Sequence, residues 1–316
     1  MKRTILGLGI VLLICICFFK WASAQQNDIP LLKGPYLGQK PPGLMPELFA
    51  PGFISTDKRE LNSVFSLDGK EFYYAIYTPE PVGEYTIWYT KIVDGVWIKP
   101  EIPSFCGEHT DVDMSFSPDG KRIYFCSRRP VPENPKPEYY IWYSNRLKDL
   151  SWSEPILMNF PVNTSFSETY PTFTKNGRMY VASNRTGSIG SKDVYSLDYM
   201  DGEYTNAVNL GDSINTEYGE GDTFISPDES YIIISCWGRP EGKGMDISFK
   251  KEDNSWTQKV NIEKALNWDI VGGCPYVSPD GKYFFFTSNG DIYWASSEII
   301  ENLRLLEAET EAGQIK

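Results

Sequence analysis

Four carboxylates recur at one position of a repeated pattern. Glu60, Asp111, Glu168 and Glu220 each stand six residues before a Ser or Thr that opens a turn, at Ser66, Ser117, Thr174 and Ser226. Asn62, Asp113, Tyr170 and Asp222 follow two residues later, and Arg129, Arg185 and Arg239 come after the returning strand. Carboxylates ringed at a channel mouth would hold a hard cation or a cationic substrate group through oxygen ligands. The arginines offer the structural alternative, charge-assisted pairing that ties one unit to the next. Repetition favours that alternative, because a site needed once has no reason to recur in every unit. In the fifth unit Gly272, Gly273 and Cys274 replace the carboxylates, which would either open the ring to a ligand or simply permit a turn.

Other side chains carry weaker signals. Trp237, Tyr139 and Tyr140 would stack on a sugar or peptide ring, although sheet packing also uses aromatic residues. They sit in or beside the longest loops, Arg128 to Glu138 and Trp237 to Gly244, where binding residues concentrate. His109, the single histidine, would act as a general base beside Glu108 or Asp111, but a lone loop histidine is more often incidental. With one histidine no multi-histidine metal site can form, and no serine lies in a nucleophile-elbow pattern. The metal assignment stays open, no cofactor is expected, and catalysis is assigned to no residue.

The elements that must position these residues are hairpins. In DMSFSPDGKRIYFCS, from Asp113, an apolar run enters a Pro-Asp-Gly turn and an aromatic-rich run leaves it. The pattern recurs from Ser63, Tyr170, Asp222 and Cys274, with turn positions 51, 57, 52 and 52 residues apart from Ser66 through Ser278. Each hairpin is followed by an aromatic-rich third strand, such as TIWYTKI from Thr86. A fourth is expected to begin at Trp97, Trp152, Tyr204 or Trp256. Four-stranded units at this period predict an all-β fold, a β-propeller of five four-stranded blades. Six blades would need another in the N-terminal arm, and 25–40 is too short for four strands.

The last unit lacks a fourth strand, and a propeller ring left open exposes a bare sheet edge. PPGLMPELFAPGFIST, residues 41–56, resembles the segments that close other blades yet stands before the first, so it is expected to donate the outer strand of the last blade. The predicted organisation is a signal peptide over 1–24, an extended arm over 25–40, a propeller over 41–296, and a short C-terminal helix with a tail over 297–316. That helix rests on Ile299, Ile300, Leu303 and Leu306 at helical spacing.

The repeat F-S-P-D-G-K, continued by Y-F and followed by S-N-R and D-I-Y, resembles the WD-like propeller repeat of TolB-type periplasmic proteins and related exported bacterial proteins. The resemblance covers most of Glu60 to Leu306 and implies a propeller. TolB-type propellers have six blades and a further domain, and neither is found here, so TolB's role is not implied.

Lys2 and Arg3 precede an apolar run from Ile5 to Phe19 and the small residues Ala22-Ser23-Ala24, the pattern of a cleaved export signal. A retained anchor is disfavoured by the run's length, and acylation at Cys15 or Cys17 by the lack of small residues before them. Losing Lys2, Arg3 and Lys20 from 30 basic residues leaves 27 against 42 acidic ones. Such a surface repels phosphate backbones and anionic lipid, which excludes nucleic acid and membrane insertion as expectations. Cys106, Cys126, Cys236 and Cys274 would form two disulfides or remain buried thiols. The expected function is an exported, monomeric, non-enzymatic scaffold that binds a protein or a small-molecule or glycan ligand on its loop face, periplasmic or extracellular. The alternative is a glycoside hydrolase-like enzyme using Glu168, Glu220, Asp113 and Asp222.

Overall fold

The computed structural model describes residues 31–79, 84–131, 134, 138–240 and 242–314. The expected export signal lies outside them, as do residues 25–30 of the arm. Blade one is β2 (Glu60–Phe65), β3 (Glu71–Thr78), β4 (Glu84–Val93) and β5 (Val96–Trp97), preceded in the chain by β1 (Glu47–Leu48). Blade two is β6 (Asp111–Phe116), β7 (Arg122–Ser127), β8 (Tyr140–Asn145) and β9 (Ile156–Leu157). Blade three is β10 (Glu168–Phe173), β11 (Met179–Ser183), β12 (Asp193–Met200) and β13 (Glu203–Asn209). Blade four is β14 (Gly219–Ile225), β15 (Tyr231–Trp237), β16 (Gly244–Phe249) and β17 (Val260–Asn261), followed by α1 (Ile262–Leu266). Blade five is β18 (Gly273–Val277), β19 (Tyr283–Ser288) and β20 (Asp291–Ser296), before α2 (Glu298–Gln314). The architecture is the five-bladed, all-β propeller the repeat predicts.

The inner hairpins form because their turns satisfy themselves. Ser66 Oγ accepts the Glu71 N–H at 2.9 Å and donates to Asp68 Oδ1 at 2.7 Å, while Asp68 accepts the Lys70 N–H at 3.1 Å and Gly69 supplies a φ of 69°. Ser117 with Asp119, and Ser278 with Asp280, repeat the arrangement. In blade four Glu229 takes the glycine position at φ 62°, and its carboxylate binds Arg178 at 3.0 Å, Tyr180 at 2.5 Å and Lys250 at 2.6 Å. The strained residue thereby clamps blade three to blade four.

Ring closure falls to β1, which pairs antiparallel with β20 through Glu47↔Trp294 and Leu48↔Tyr293. Phe49, fully buried, follows it into a cluster with Phe65, Phe72, Phe285 and Trp294 that joins blades one and five. The outer strands differ from expectation. Trp152 and Trp256 make single bridges to Arg146 and Lys250, and the strands proper begin four residues later at Ile156 and Val260. Both indoles are held by stacking against those cations, 4.1 Å from Arg146 and 5.4 Å from Lys250. Helix α2 packs Ile299, Ile300 and Leu303 against blades four and five. The helix α1 was not expected; Asn261 caps it by accepting the Lys264 N–H at 2.9 Å.

Candidate functional site

The recurrent carboxylates Glu60, Asp111, Glu168 and Glu220 do not ring an open mouth as ligand-binding groups; they take the structural role that their repetition favours. All four are at most 1% exposed and are engaged within the fold. Glu60, Glu168 and Glu220 each accept from the backbone N–H and hydroxyl of a threonine four residues earlier, Thr56, Thr164 or Thr216, with hydroxyl distances of 2.6, 2.6 and 2.5 Å. The spacing Thr-x-x-x-Glu stands three times in the sequence, as STDKRE, NTSFSE and NTEYGE, and is the signal that marks these carboxylates as loop-fastening groups. The preceding Asn163 and Asn215 hold the third strand of the blade before, each bonding one residue's N–H and C=O at Ile141 and Val194.

The arginines divide between ring carboxylates and other partners. Arg129 pairs with Asp111 at 2.7 Å and lies over the Phe125 and Trp142 rings, and Arg185 reaches Glu168 at 3.4 Å and stacks on Tyr195. Arg239 departs from the pattern, pairing with Asp246 at 2.6 Å, while Lys259 serves Glu220 at 3.2 Å. Burial pushes the carboxyls of Glu60, Asp111 and Glu168 above their usual range, and their hydrogen bonds work against it. Glu168→Ala leaves the Arg185 guanidinium, 8% exposed, bonded to Ser183 and the Pro161 and Val162 carbonyls but without its counter-charge. The expected cost is about 3–5 kcal/mol by urea denaturation.

Trp237 is likewise committed to packing. A Cβ on Gly219 would come within 2.4 Å of its indole nitrogen and one on Gly221 within 2.2 Å of its ring, so the two glycines make room for the indole over β14. Tyr140 is buried in β8, and Tyr139 stacks under Arg128. Residues 132–133, 135–137 and 241 of the two long loops lie outside the described residues. Among the described residues Cys106, Cys126, Cys236 and Cys274 are all free thiols. Among the described residues no group of three or more histidine, cysteine or acidic side chains is disposed to hold a metal ion.

The groups that do converge sit two residues further along each inner strand. Asn62, Asp113, Tyr170, Asp222 and Cys274 all have positive φ, between 34° and 55°, at the point where each inner strand shifts register against its neighbour. A bulge with left-handed backbone re-aims a side chain, and for a residue as large as Tyr170 such backbone is rare enough to mark a constrained site. The five form a belt across the channel. Asn62 Oδ1 accepts the Met114 N–H at 3.1 Å, Asp222 Oδ2 accepts the Cys274 N–H at 3.3 Å, and Tyr170 Oη lies 2.8 Å from Cys274 Sγ. Burial first, and then the Asp222 charge, push Asp113 up to about 8 against the opposing pull of Tyr170, Lys192 and Cys126. Asp222 is also raised, by burial.

Asn62, Asp113 and Tyr170 floor a cavity of about 340 Å³ along the axis. Its walls include Phe116, Phe173, Phe224, Tyr276 and Val277, and it extends to Leu67, Pro118, Lys175, Pro227 and Pro279 of the Pro-Asp-Gly turns. The cavity therefore reaches the turn face, opposite the loop face where a ligand was expected. Sequence periodicity located the belt residues but carries no sign of the bulges that turn them inward.

No known family model matches the chain, and no curated protein matches it in sequence. Among solved structures, TolB from Acinetobacter baumannii is 16% identical over 78% of this chain and 56% of that one, with a TM-score of 0.47. A putative TolB from Agrobacterium tumefaciens is 19% identical, covering 74% and 71%, with a TM-score of 0.48. A glycoside hydrolase is 14% identical, covering 84% and 92%, with a TM-score of 0.52. At these identities the likeness is one of propeller fold alone, and the chain spans little more than half of the Acinetobacter protein, 56%.

Proposed function

We propose that the chain is an exported, non-enzymatic β-propeller that serves as a binding scaffold, taking a small ligand or a protruding group of a protein partner into its axial cavity. The observation that carries this reading is the cavity itself. Its volume of about 340 Å³ falls in the range of small-ligand sites, and its apolar walls end on a few polar groups that would fix a ligand's orientation. Export rests on the basic and apolar pattern of the first 24 residues. The propeller fold, in which the chain is similar to the TolB-type structures, is compatible with a binding scaffold.

One observation favours a second reading, acid-catalysed glycoside cleavage. Asp113, held up to about 8, keeps its proton at neutral pH as a general acid must, with Asp222 beside it. Glu168 and Glu220 leave that scheme because both are buried and bonded elsewhere.

Fluorescence titration with N-phenyl-1-naphthylamine tests the binding reading. Saturable one-to-one binding is expected in the wild type and its loss in Ser115→Trp, whose indole would occupy the cavity that Ser115 lines. Absence of saturable binding in the wild type overturns the channel reading. Turnover of chromogenic aryl glycosides that disappears in Asp113→Asn would move the assignment to hydrolysis.

A further inference from the structure

We infer that the cavity floor receives a single positive charge: the ligand carries one protonated amine on an apolar or aromatic body, and the amine seats against Asp113. This rests on the binding role proposed above and names the chemical class of its ligand.

Charge balance points to the amine. The buried carboxylates Asp111, Glu168 and Glu220 each have a cation, Arg129, Arg185 or Lys259, and Glu60, Asp193 and Glu263, with no ion pair among the described residues, are held instead by backbone N–H groups and neighbouring side chains. Among the described residues neither Asp113 nor Asp222 forms an ion pair. Lys192 bears on both; its ammonium donates to Thr169 Oγ1 at 2.9 Å and offsets one of the two charges. With both carboxylates ionised, one negative charge remains. Asp222 holds the Cys274 N–H and does not line the cavity, whereas Asp113, 5% exposed and engaged by Tyr170 and Cys126, does line it and has carboxylate lone pairs left for an incoming donor. Without a ligand the site is neutralised by the proton that Asp113 holds up to about pH 8, and a ligand ammonium would take that proton's place. Phe173, Phe224, Tyr231 and Tyr276 give that ligand an apolar wall and π-faces suited to a cation.

The site's own titration follows from the same groups. Asp113 is faced by Asp222 of β14, Tyr170 of β10, Cys126 of β7, Cys274 of β18, Lys192 before β12 and Tyr139 before β8. An ammonium ligand requires the ionised Asp113, so its affinity should rise roughly tenfold per pH unit below about pH 8 and level off above it. An alcohol of the same shape requires no ionisation and should bind with little change across that range.

Three probes of one skeleton separate the possibilities: 2-phenylethylammonium, 2-phenylethanol and phenylacetate, titrated into the full propeller by saturation-transfer NMR at pH 6, 7 and 8. The ammonium should bind at least tenfold more tightly than the alcohol at pH 8, phenylacetate should not bind, and Asp113→Asn should abolish the preference. The wild-type pH series decides the same question should the variant fold poorly. If the alcohol or phenylacetate binds as well as the ammonium, or the ammonium affinity is flat with pH, the cation inference is overturned and the cavity stands as a binding site. If none of the three binds, the binding role falls with it.

Discussion

Asp113→Asn should make the folded chain more stable at pH 8.5 than the wild type, and the difference should shrink steadily as the pH is lowered to 5. A carboxyl whose folded pKa is raised holds its proton in the native state while the unfolded chain, titrating at about 3.9, has released it. Its stabilising effect is present below the unfolded value and is lost as pH rises through the folded one, about 8. The slope is about 1.4 kcal/mol per pH unit between those limits, with a ceiling of about 6 kcal/mol in total; solvent screening lowers the realised value to about 2–3 kcal/mol. Asparagine suits the position, because Asn62 occupies the equivalent place in blade one at φ 53°. Urea unfolding at pH 5, 7 and 8.5 decides the matter: parallel losses in wild type and variant would remove Asp113 as the responsible group. On the acid side the sign reverses. Hydrogen bonds to the turn carboxylates Asp68, Asp119, Asp228 and Asp280 depress them, so their contribution is present above the ordinary range and lost as pH falls through it.

Phe49→Ala should cost about 3–5 kcal/mol, the range for emptying a buried aromatic site. The phenyl ring has ring centroids of Phe72, Phe285 and Trp294 at 5.1, 5.0 and 5.1 Å and Phe65 at 6.1 Å, all in blades one and five. Removing it leaves β1 with two paired, exposed residues, so that the segment is held to the ring mainly by Phe53 and Ile54 further along. Hydrogen exchange should show protection lost first in 291–296 and 60–65, the strands the closing segment joins. Uniform loss over all five blades would contradict the assignment of Phe49 to the seam.

The features legible in the sequence were those encoded locally. A Ser-x-Asp-Gly turn, three times over, and its variants Thr174-Lys175-Asn176-Gly177 and Ser226-Pro227-Asp228-Glu229 satisfy themselves within six residues, so five hairpins are legible from local sequence alone. The closing segment was legible because 41–56 resembles the ends of other repeats while standing out of place. Outer strands were misplaced at Trp152 and Trp256 because those indoles are fixed by cation stacking, and the edge pairing that follows needs only two residues. The carboxylate ring was found but its setting was not: threonines four residues upstream hold Glu60, Glu168 and Glu220, a local pattern that periodicity of charge does not weigh. The belt depends on bulges in five separate strands meeting at one level of the channel, and no local pattern announces it.

The two-residue strand at Glu47–Leu48 also sets an order of events. It pairs with Tyr293 and Trp294, nearly the whole propeller away along the chain, so blade five cannot be completed until the last blade's own strands exist. Blades one to four have local hairpins and can assemble as the chain appears, but residues 44–56 have nothing to pair with during that time. Contacts of such long sequence separation are slow to form, because loop entropy must be overcome before the pairing rewards it. The apolar residues Phe49, Phe53 and Ile54 therefore lack their blade-five partners until β19 and β20 have formed, and ring closure is expected to be the last pairing to complete.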